Sequence, residues 1–481
     1  MGARTGREFL EGLKDDRVLW LRNERVDDVT QHPELVGAAG AVAALFDLQH
    51  EHADLCLEPD SETGELVNVS HMIPRSKEDL QRRRRCLETF AEASVGLMGR
   101  SPDYINVTFA GFAGGRERWA AGGNDEGAEN VIRYQREIAR RDLSLTHTIV
   151  HPTIDKVRDR DFAAPGDPVP LHKVGETEHG IVVRGARILA TLAPFADELA
   201  VYPSHPAPEG AEAYALAFSI PMNTPGLVFL CRDSASAVHA ERFDRPLSSR
   251  FDEQDAFAIF DDVEVPRERV FADGNLEVYN SVLFGTWAPN VMQQTMIRAQ
   301  TKLEFAWGLA ARMAEIVNDT GPPTQMLLGE IRCYSELVYS ALRLAEAEAF
   351  DYGEGAWFPD GRPFVPLRAL VPQWFPRVNE IFHLIGSHNL LAAPSRAQLD
   401  DPTMRPLLDR YLHGAHEVDA EERAAVFRLA WDFVGSELGS RNELYERYYF
   451  GSGARHIGLA HLAGDRARAD TLVDRMLGRP G

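Results

Sequence analysis

The chain has 481 residues, roughly two to four domains at the usual size per domain. Its 44% hydrophobic and 9% aromatic content is ample for buried cores and excludes a disordered polymer. A formal net charge of −22, from 51 Lys and Arg against 73 Asp and Glu, argues against a nucleic-acid binder or an anionic-membrane binder, since both need a basic face.

Residues 1 to about 145 read mainly as helix. The opening "MGARTGREFLEGLKDD" has no apolar core before a cleavage site, so no signal peptide is expected. In "SKEDLQRRRRCLETFAEASVGLMG", Ser76 is a candidate N-cap with Asp79 completing a capping-box variant. Leu80, Leu87, Phe90, Ala91 and Ser94 share one side at helical spacing. The run Arg82 to Arg85 reads as a solvated face with i,i+4 partners. Gly99 is the expected helix stop, with Pro102 beyond it. That stop leaves Arg100 and Tyr104, a fixed cation and a phenol, on an expected irregular segment.

From about 146 to 272 the pattern becomes short apolar runs punctuated by Pro, Gly and Asn: "GIVVRGARILAT", "ELAVYPS", "AYALAFSIPM", "GLVFLCR" and "AFAIFDDVEV". These predict a β domain, a barrel or sandwich. "FDDVEVPRERVF" reads as a strand and turn leading into the last domain. From 273 to 481 helix returns. In "MQQTMIRAQTKLEFAWGLAARMAEIVND", Met296, Ala299, Leu303, Ala306 and Leu309 form a stripe. Three further helical stretches, "MLLGEIRCYSELVYSALRLAEAEAF", "FPRVNEIFHLIGSHNLL" and "EERAAVFRLAWDFVGSEL", complete a predicted four-helix bundle.

Several chemistries lack their motifs. There is no GxGxxG after a strand, no GxxxxGK[ST], no HExxH and no GxSxG. "GSGARHIG" has the wrong spacing for a dinucleotide loop and is expected at a helix end. Cys56, Cys86, Cys231 and Cys333 form no CxxC, and so few cysteines suit a reducing cytoplasm. No run of about 18 apolar residues suggests a membrane span. The histidines of "HEH" (50–52) and "HGAH" (413–416) read as surface residues. In "LTHTIVHPTID", His147 and His151 have metal-ligand spacing on a helix, but Pro152 pushes His151 out of the α region and no further ligands are evident.

Taken in order, "TGREFLEGLKDDRVLWLRNERVDDVTQHP", "PRSKEDLQRRRR", "GLMGRSPDY", "DLSLTHTIVHPTID", "GARILATLAPFADELAVYP", "SSRFDEQDAFAIFDDVEVPRERVF" and "GSRNELYERYYFGSGAR" resemble the flavin-dependent 4-hydroxyphenylacetate 3-monooxygenase family nearly end to end. These are the large oxygenase components of two-component aromatic hydroxylases. The resemblance implies an acyl-CoA dehydrogenase-like fold: an N-terminal helical domain (1–145), a middle β-barrel domain (146–272) and a C-terminal four-helix bundle (273–481), in a homotetramer. It implies FAD used as FADH2 from a separate NAD(P)H:flavin reductase, O2 as co-substrate, and a C4a-hydroperoxyflavin that hydroxylates a phenol ortho to its hydroxyl. 4-Hydroxyphenylacetate or a similar para-substituted phenol is the expected substrate. The same chemistry on a chlorophenol, nitrophenol, tyrosine-derived or heterocyclic ring is the alternative, and acyl-CoA oxidation a weaker one. A related dehydratase branch carries an iron–sulfur cluster, but its cysteine and histidine ligands are missing from "MGRSPDY" and "NVMQQTMIRAQTK".

Carried over by residue, the resemblance puts Arg100, Tyr104 and His147 at the phenolic oxygen. It puts flavin contacts at His147, Thr148, Ile149, His151, Thr153, Ile154, Asp155, Lys156, Thr191, Phe450, Gly451, Ser452 and Gly453. Ser204 and His205 match the segment that closes over the substrate's distal group. "HPTIDK" departs from the family's usual "NPQ[VI]DR" on the flavin side. The residue types suit the task. A fixed cation favours a phenolate over a phenol whose free pKa is about 10. A histidine can take its proton, and a tyrosine can donate to the oxygen as charge develops.

Overall fold

A computed structural model describes residues 2–154, 166–236, 241–462 and 464–479. The five predicted strand runs all form strands: Gly180–Thr191, Glu198–Val201, Leu216–Pro221, Leu227–Cys231 and Asp255–Pro266. They divide between two sheets. A six-stranded sheet runs in the order Glu24–Val26, Val18–Leu21, Leu227–Cys231, Asp255–Pro266, Gly180–Thr191, His172–Glu176. A four-stranded sheet runs Val270–Asp273, Leu216–Pro221, Glu198–Val201, Leu145–Thr148.

The N-terminal stretch is less purely helical than its pattern suggests. "VLWLRNERV" makes a two-residue hairpin in which Leu21 pairs with Glu24, and its first strand runs parallel to Leu227–Cys231. Arg22 turns the corner at φ +55, as a tight hairpin of this kind requires. Helix Lys77–Ala93 begins as expected, with the Ser76 side chain accepting from the Asp79 N–H. Its arginine run departs from expectation. Arg83 is fully buried and donates twice to Gln293 Oε1, because it lies between Leu80 and Leu87 on the inward face. Arg82 pairs with Glu58, Arg84 with Glu88 and Glu346, and only Arg85 of the four is exposed.

After residue 273 the long helices are Ala288–Ile316, Pro322–Ala347, Phe364–Gly386 and Ala420–Val434. Met296, Ala299, Leu303, Ala306 and Leu309 of the first are all buried, packed in one core with Leu342, Phe382 and Phe433 of the other three. That core continues without a break into the sheets, through residues such as Leu199, Phe218 and Ala258. A second core gathers Tyr104, Phe109, Tyr134, Tyr202 and Phe271, where helices Pro102–Ala113 and Asp125–Arg141 meet the four-stranded sheet. Among the described residues no helix is long and apolar enough to cross a membrane.

Candidate active site

The segment carrying Arg100 is shaped by two glycines. Helix Lys77–Ala93 stops earlier than its pattern suggests. Val95 and Gly96 turn left-handed at φ +47 and +71, and the Gly96 N–H bonds back to Ala91 O at 2.8 Å. A Cβ on Gly96 would lie 2.4 Å from Arg298 O and 2.7 Å from Lys302 N, so backbone passes too close for a side chain. Gly96, not Gly99, is therefore the helix stop. Gly99 instead lets two aromatic rings approach: a Cβ there would sit 2.7 Å from Tyr445 Oη and 2.9 Å from Tyr449 Cε2. Pro102 opens a helix, Pro102–Ala113, rather than ending one, because its missing N–H costs nothing at the first helical position. Arg100 lies on the irregular link, while Tyr104 sits in the first turn of that helix.

These elements form a layered column. The Arg100 guanidinium carbon is 4.0 Å from the Tyr104 ring centre, 4.1 Å from that of Tyr449 and 5.8 Å from that of Tyr445. Tyr104 stacks on His147 at 5.4 Å and 21°. His147 stacks in turn on Tyr202 at 5.2 Å and 26°. Parallel pairing of Leu145–Thr148 with Glu198–Val201 matches His147 to Ala200 and brings Tyr202, just past the second strand, beside it. Tyr449 Oη donates to Gly99 O at 2.9 Å, tying the C-terminal segment to the Arg100 link.

Electrostatics follow from burial. Among the described residues, no carboxylate pairs with the Arg100 guanidinium. Burial alone would lower its pKa, but the surrounding phenol oxygens, Tyr104 foremost, more than offset this, and it stays a cation. His147 is held well below the ordinary histidine range, first by burial and then by the Arg100 charge. Burial also pushes Tyr449 up to about 12, and Tyr202 and Tyr445 well above their usual range. The result at neutral pH is one cation among neutral rings. His147 Nδ1 and Tyr445 Oη are buried with no hydrogen-bond partner among the described residues, which is costly unless something else meets them. Such a site suits an anionic oxygen on an aromatic ring, with a neutral imidazole beside it that can accept a hydrogen bond at Nδ1.

The residues expected on the flavin side line the exit from strand Leu145–Thr148. Thr148 Oγ1 reaches Ile188 O at 3.5 Å, Ile149 O accepts from Arg187 Nη1 at 2.9 Å, and Val150 bridges to Ile188. Between Arg187 and Ala190 the Gly180–Thr191 strand bulges opposite Phe257, and Leu189 takes φ +72. The bulge leaves Ile188 and Leu189 exposed, with exposed Val150 bridged to Ile188. This apolar wall next to a neutral buried histidine fits a flavin ring. Thr191 is buried, and its hydroxyl donates to Asp255 Oδ1 at 2.8 Å. His151 meets the edge of Tyr214 at 6.4 Å. Burial, then Arg187 and His205, lowers its pKa to about 2. Thr153 is exposed. Asp155 and Lys156 lie outside the described residues.

Phe450 is buried and packs on Tyr449 with ring centres 5.1 Å apart, so the C-terminal segment does reach the Arg100 column. Gly451 turns at φ +82, Ser452 O accepts the His456 N–H, and Gly453 begins a helix to Leu462. "GSGARHIG" thus follows the end of helix Glu437–Tyr448, where the Gly451 N–H bonds back to Tyr448 O, and opens the next helix. Ser204 and His205 hydrogen-bond to each other at 2.9 Å near the surface. Just beyond them Ala207 is pinned by two bonds to Asn280.

Sequence reasoning missed Tyr202, Tyr445, Tyr449, Glu253 and Arg441. One signal was present. Arg441, Tyr445 and Tyr449 are spaced i, i+4, i+8, which gives one helix face, and that face meets Arg100.

Known proteins resemble this chain over nearly its whole length. The family models "4-hydroxyphenylacetate 3-hydroxylase N terminal" and "C terminal" match residues 5–272 and 284–478. The "4-hydroxyphenylacetate 3-monooxygenase oxygenase component" of Thermus thermophilus is 40% identical over 94% of this chain and 93% of its own. The oxygenase component of a 4-nitrophenol 2-monooxygenase from a Rhodococcus species is 34% identical over 93% and 86%. A crystal structure of a 4-hydroxyphenylacetate 3-monooxygenase oxygenase component with FAD and 4-hydroxyphenylacetate superposes with a TM-score of 0.93 at 38% identity, covering 99% of this chain and 98% of the other. More distantly, a 4-hydroxybutyryl-CoA dehydratase from N. maritimus (TM-score 0.88, 18% identity) and a glutaryl-coenzyme A dehydrogenase (0.50, 14%) share the fold, which is acyl-CoA dehydrogenase-like. The chain belongs to the 4-hydroxyphenylacetate 3-hydroxylase family.

Proposed function

We propose that this protein is the oxygenase component of a two-component flavin-dependent monooxygenase. It uses FADH2 and O2 to hydroxylate a phenol ortho to its hydroxyl. 4-Hydroxyphenylacetate or a similar para-substituted phenol is the substrate. The observation that carries this reading is a half-buried arginine whose guanidinium pairs with no carboxylate among the described residues, layered with Tyr104 and a neutral His147.

Reduced flavin, when bound, supplies with O2 the electrophilic oxygen. The chain's own residues make the ring receptive. Arg100 stabilises the phenolate oxygen, and a phenolate is far more electron-rich than a phenol. His147 accepts a hydrogen bond from the phenol hydroxyl at its unpartnered Nδ1 and orients it. The Arg100 charge, not imidazole basicity, favours ionisation, since burial and Arg100 hold His147 well below the ordinary histidine range. Tyr104 donates to the same oxygen. Contacts converging on one atom also fix which ring carbon faces the flavin. Buried Tyr104 and Tyr202, with half-buried Tyr445 and Tyr449, keep water from the reacting atoms.

His147, Thr148, Ile149, His151, Thr153, Ile154, Asp155, Lys156 and Thr191 are assigned to the flavin side, with Phe450, Gly451, Ser452 and Gly453 closing it. The apolar wall of Val150, Ile188 and Leu189 supports that assignment. Ser204 and His205 cover the substrate's distal group. A separate NAD(P)H:flavin reductase provides FADH2. We divide the chain into a helical domain, a middle β-barrel domain and a C-terminal four-helix bundle, assembled as a cytoplasmic homotetramer. The name of the Rhodococcus relative keeps a second reading open, namely nitrophenol or another electron-rich ring as substrate.

The test supplies FADH2, O2 and a panel of phenols and assays catechols against H2O2. Catechol is the expected product, and the His147→Ala variant binds FADH2 yet forms none. Peroxide alone from every ring would overturn the proposal.

A further inference from the structure

Glu253 is fully buried next to Arg100, yet it does not pair with the guanidinium. Its Oε1 accepts the Arg100 backbone N–H at 2.7 Å, and its Oε2 accepts Arg441 Nη1 at 3.0 Å. Arg441 also forks onto Asp255, with Nη2 to Oδ1 at 2.8 Å and Nε to Oδ2 at 2.9 Å. Asp255 is held from its other sides by Arg232 Nε at 2.9 Å and by the Thr191 hydroxyl at 2.8 Å. Arg441 lies 4.0 Å above the Tyr445 ring, and Tyr445 is one of the rings beside Arg100. Among the described residues, the one carboxylate that contacts Arg100 is thus turned to the main chain and locked there by a second arginine. A carboxylate left loose at this depth would pair with the guanidinium and cancel the charge the substrate needs.

We infer that Glu253 and Arg441 are a positioning pair for the hydroxylation. They hold the Arg100 backbone so that its guanidinium stays between Tyr104 and Tyr449 and open to a phenolate oxygen. The inference rests on the phenol reading above. It makes a prediction opposite in sign to simple electrostatics. Glu253 is a negative charge beside the anion's site, so removing that charge should by Coulomb's law tighten phenolate binding. If Glu253 works by position, removing it weakens binding, because in Glu253→Gln the amide N–H2 opposes the Arg441 donor and the clamp opens. Arg441→Lys keeps the charge but loses the fork that joins Glu253 to Asp255.

The test titrates 4-nitrophenol, whose colour reports the phenolate, into protein loaded with reduced FAD under argon and into protein without FAD, across pH. Thermal melting of each variant checks folding. We expect Glu253→Gln to bind the phenolate at least about tenfold more weakly, as for loss of a charge-assisted hydrogen bond, with the pKa of the bound phenol raised. Arg441→Lys should shift both in the same direction by less. Folded Glu253→Gln with unchanged or tighter phenolate binding overturns the inference and leaves the phenol reading standing. Wild-type protein that binds no phenolate in either state overturns both.

Discussion

Arg100 gains its place from its neighbours' restraint. Two rings lie against it, 4.0 and 4.1 Å away and edge-on to each other, and its own N–H is tied to Glu253. Gly99 makes this closeness possible. In Gly99→Ala the new Cβ meets Tyr445 Oη at 2.7 Å and Tyr449 Cε2 at 2.9 Å, so the rings must move off the arginine. Overpacking of this kind costs about 1–3 kcal/mol. The variant should melt earlier and lose phenol affinity. Unchanged affinity would mean that the column tolerates looser packing. The resemblance named Arg100, Tyr104 and His147 together, and they do come together, but it gave no hint of the stacking that joins them. Spacing along a chain says nothing about a ring such as Tyr202, which a parallel strand pair brings in from 55 positions away (202 − 147).

At the scale of elements, periodicity read the strands and the buried stripes well, because a face either packs or is solvated. It failed where charge enters a buried face. Arg83 follows the leucine spacing of its helix and is buried with it. Glu446, Arg298 and Lys302 repeat that case where helix Glu437–Tyr448 meets Ala288–Ile316. Arg298 contacts both Glu446 oxygens at 2.7 and 2.9 Å, and Lys302 contacts one at 2.9 Å, all three buried. Burial would raise the Glu446 pKa, but Arg298 and Lys302 outweigh it and hold the carboxyl down at about 2. Glu446→Gln leaves two buried cations uncompensated and should cost about 3–5 kcal/mol. Chemical denaturation measures that loss; a cost below about 1 kcal/mol would show that water already reaches the cluster. Arg298 also lies 4.7 Å from the Tyr449 ring, so loosening it should weaken substrate binding as well. The helix stop was misplaced for a related reason. Gly96 is required by the backbone of another helix, a constraint no local pattern carries.

For the whole molecule, pH acts through buried histidines. Burial lowers His71 to about 3, and both of its ring nitrogens lack partners among the described residues. The folded protein keeps it neutral, while the unfolded chain protonates it near pH 6.5. Its penalty is therefore absent above pH 6.5 and grows as pH falls toward 3. At pH 5 it amounts to about 2 kcal/mol. His71→Phe should lose less stability between pH 7 and 5 than the wild type, by about that amount, in denaturant titrations at the two pH values. An equal loss would assign the acid sensitivity elsewhere.

The coarse element order, mainly helical, then β, then helical, was legible because strand runs and amphipathic helices carry different periodicities. The hairpin that carries the N-terminus into the six-stranded sheet was not, since its pairing partner lies some 200 residues on. The central claim is that Arg100, with Tyr104 and His147, makes a phenol reactive toward oxygen delivered from reduced flavin. The most direct test counts hydroxylated product per FADH2 oxidised, in the wild type and in Arg100→Leu, with 4-hydroxyphenylacetate and O2. The account predicts near-stoichiometric catechol from the wild type, and peroxide in place of catechol from Arg100→Leu while FADH2 is still consumed. Coupling left intact in Arg100→Leu would contradict it.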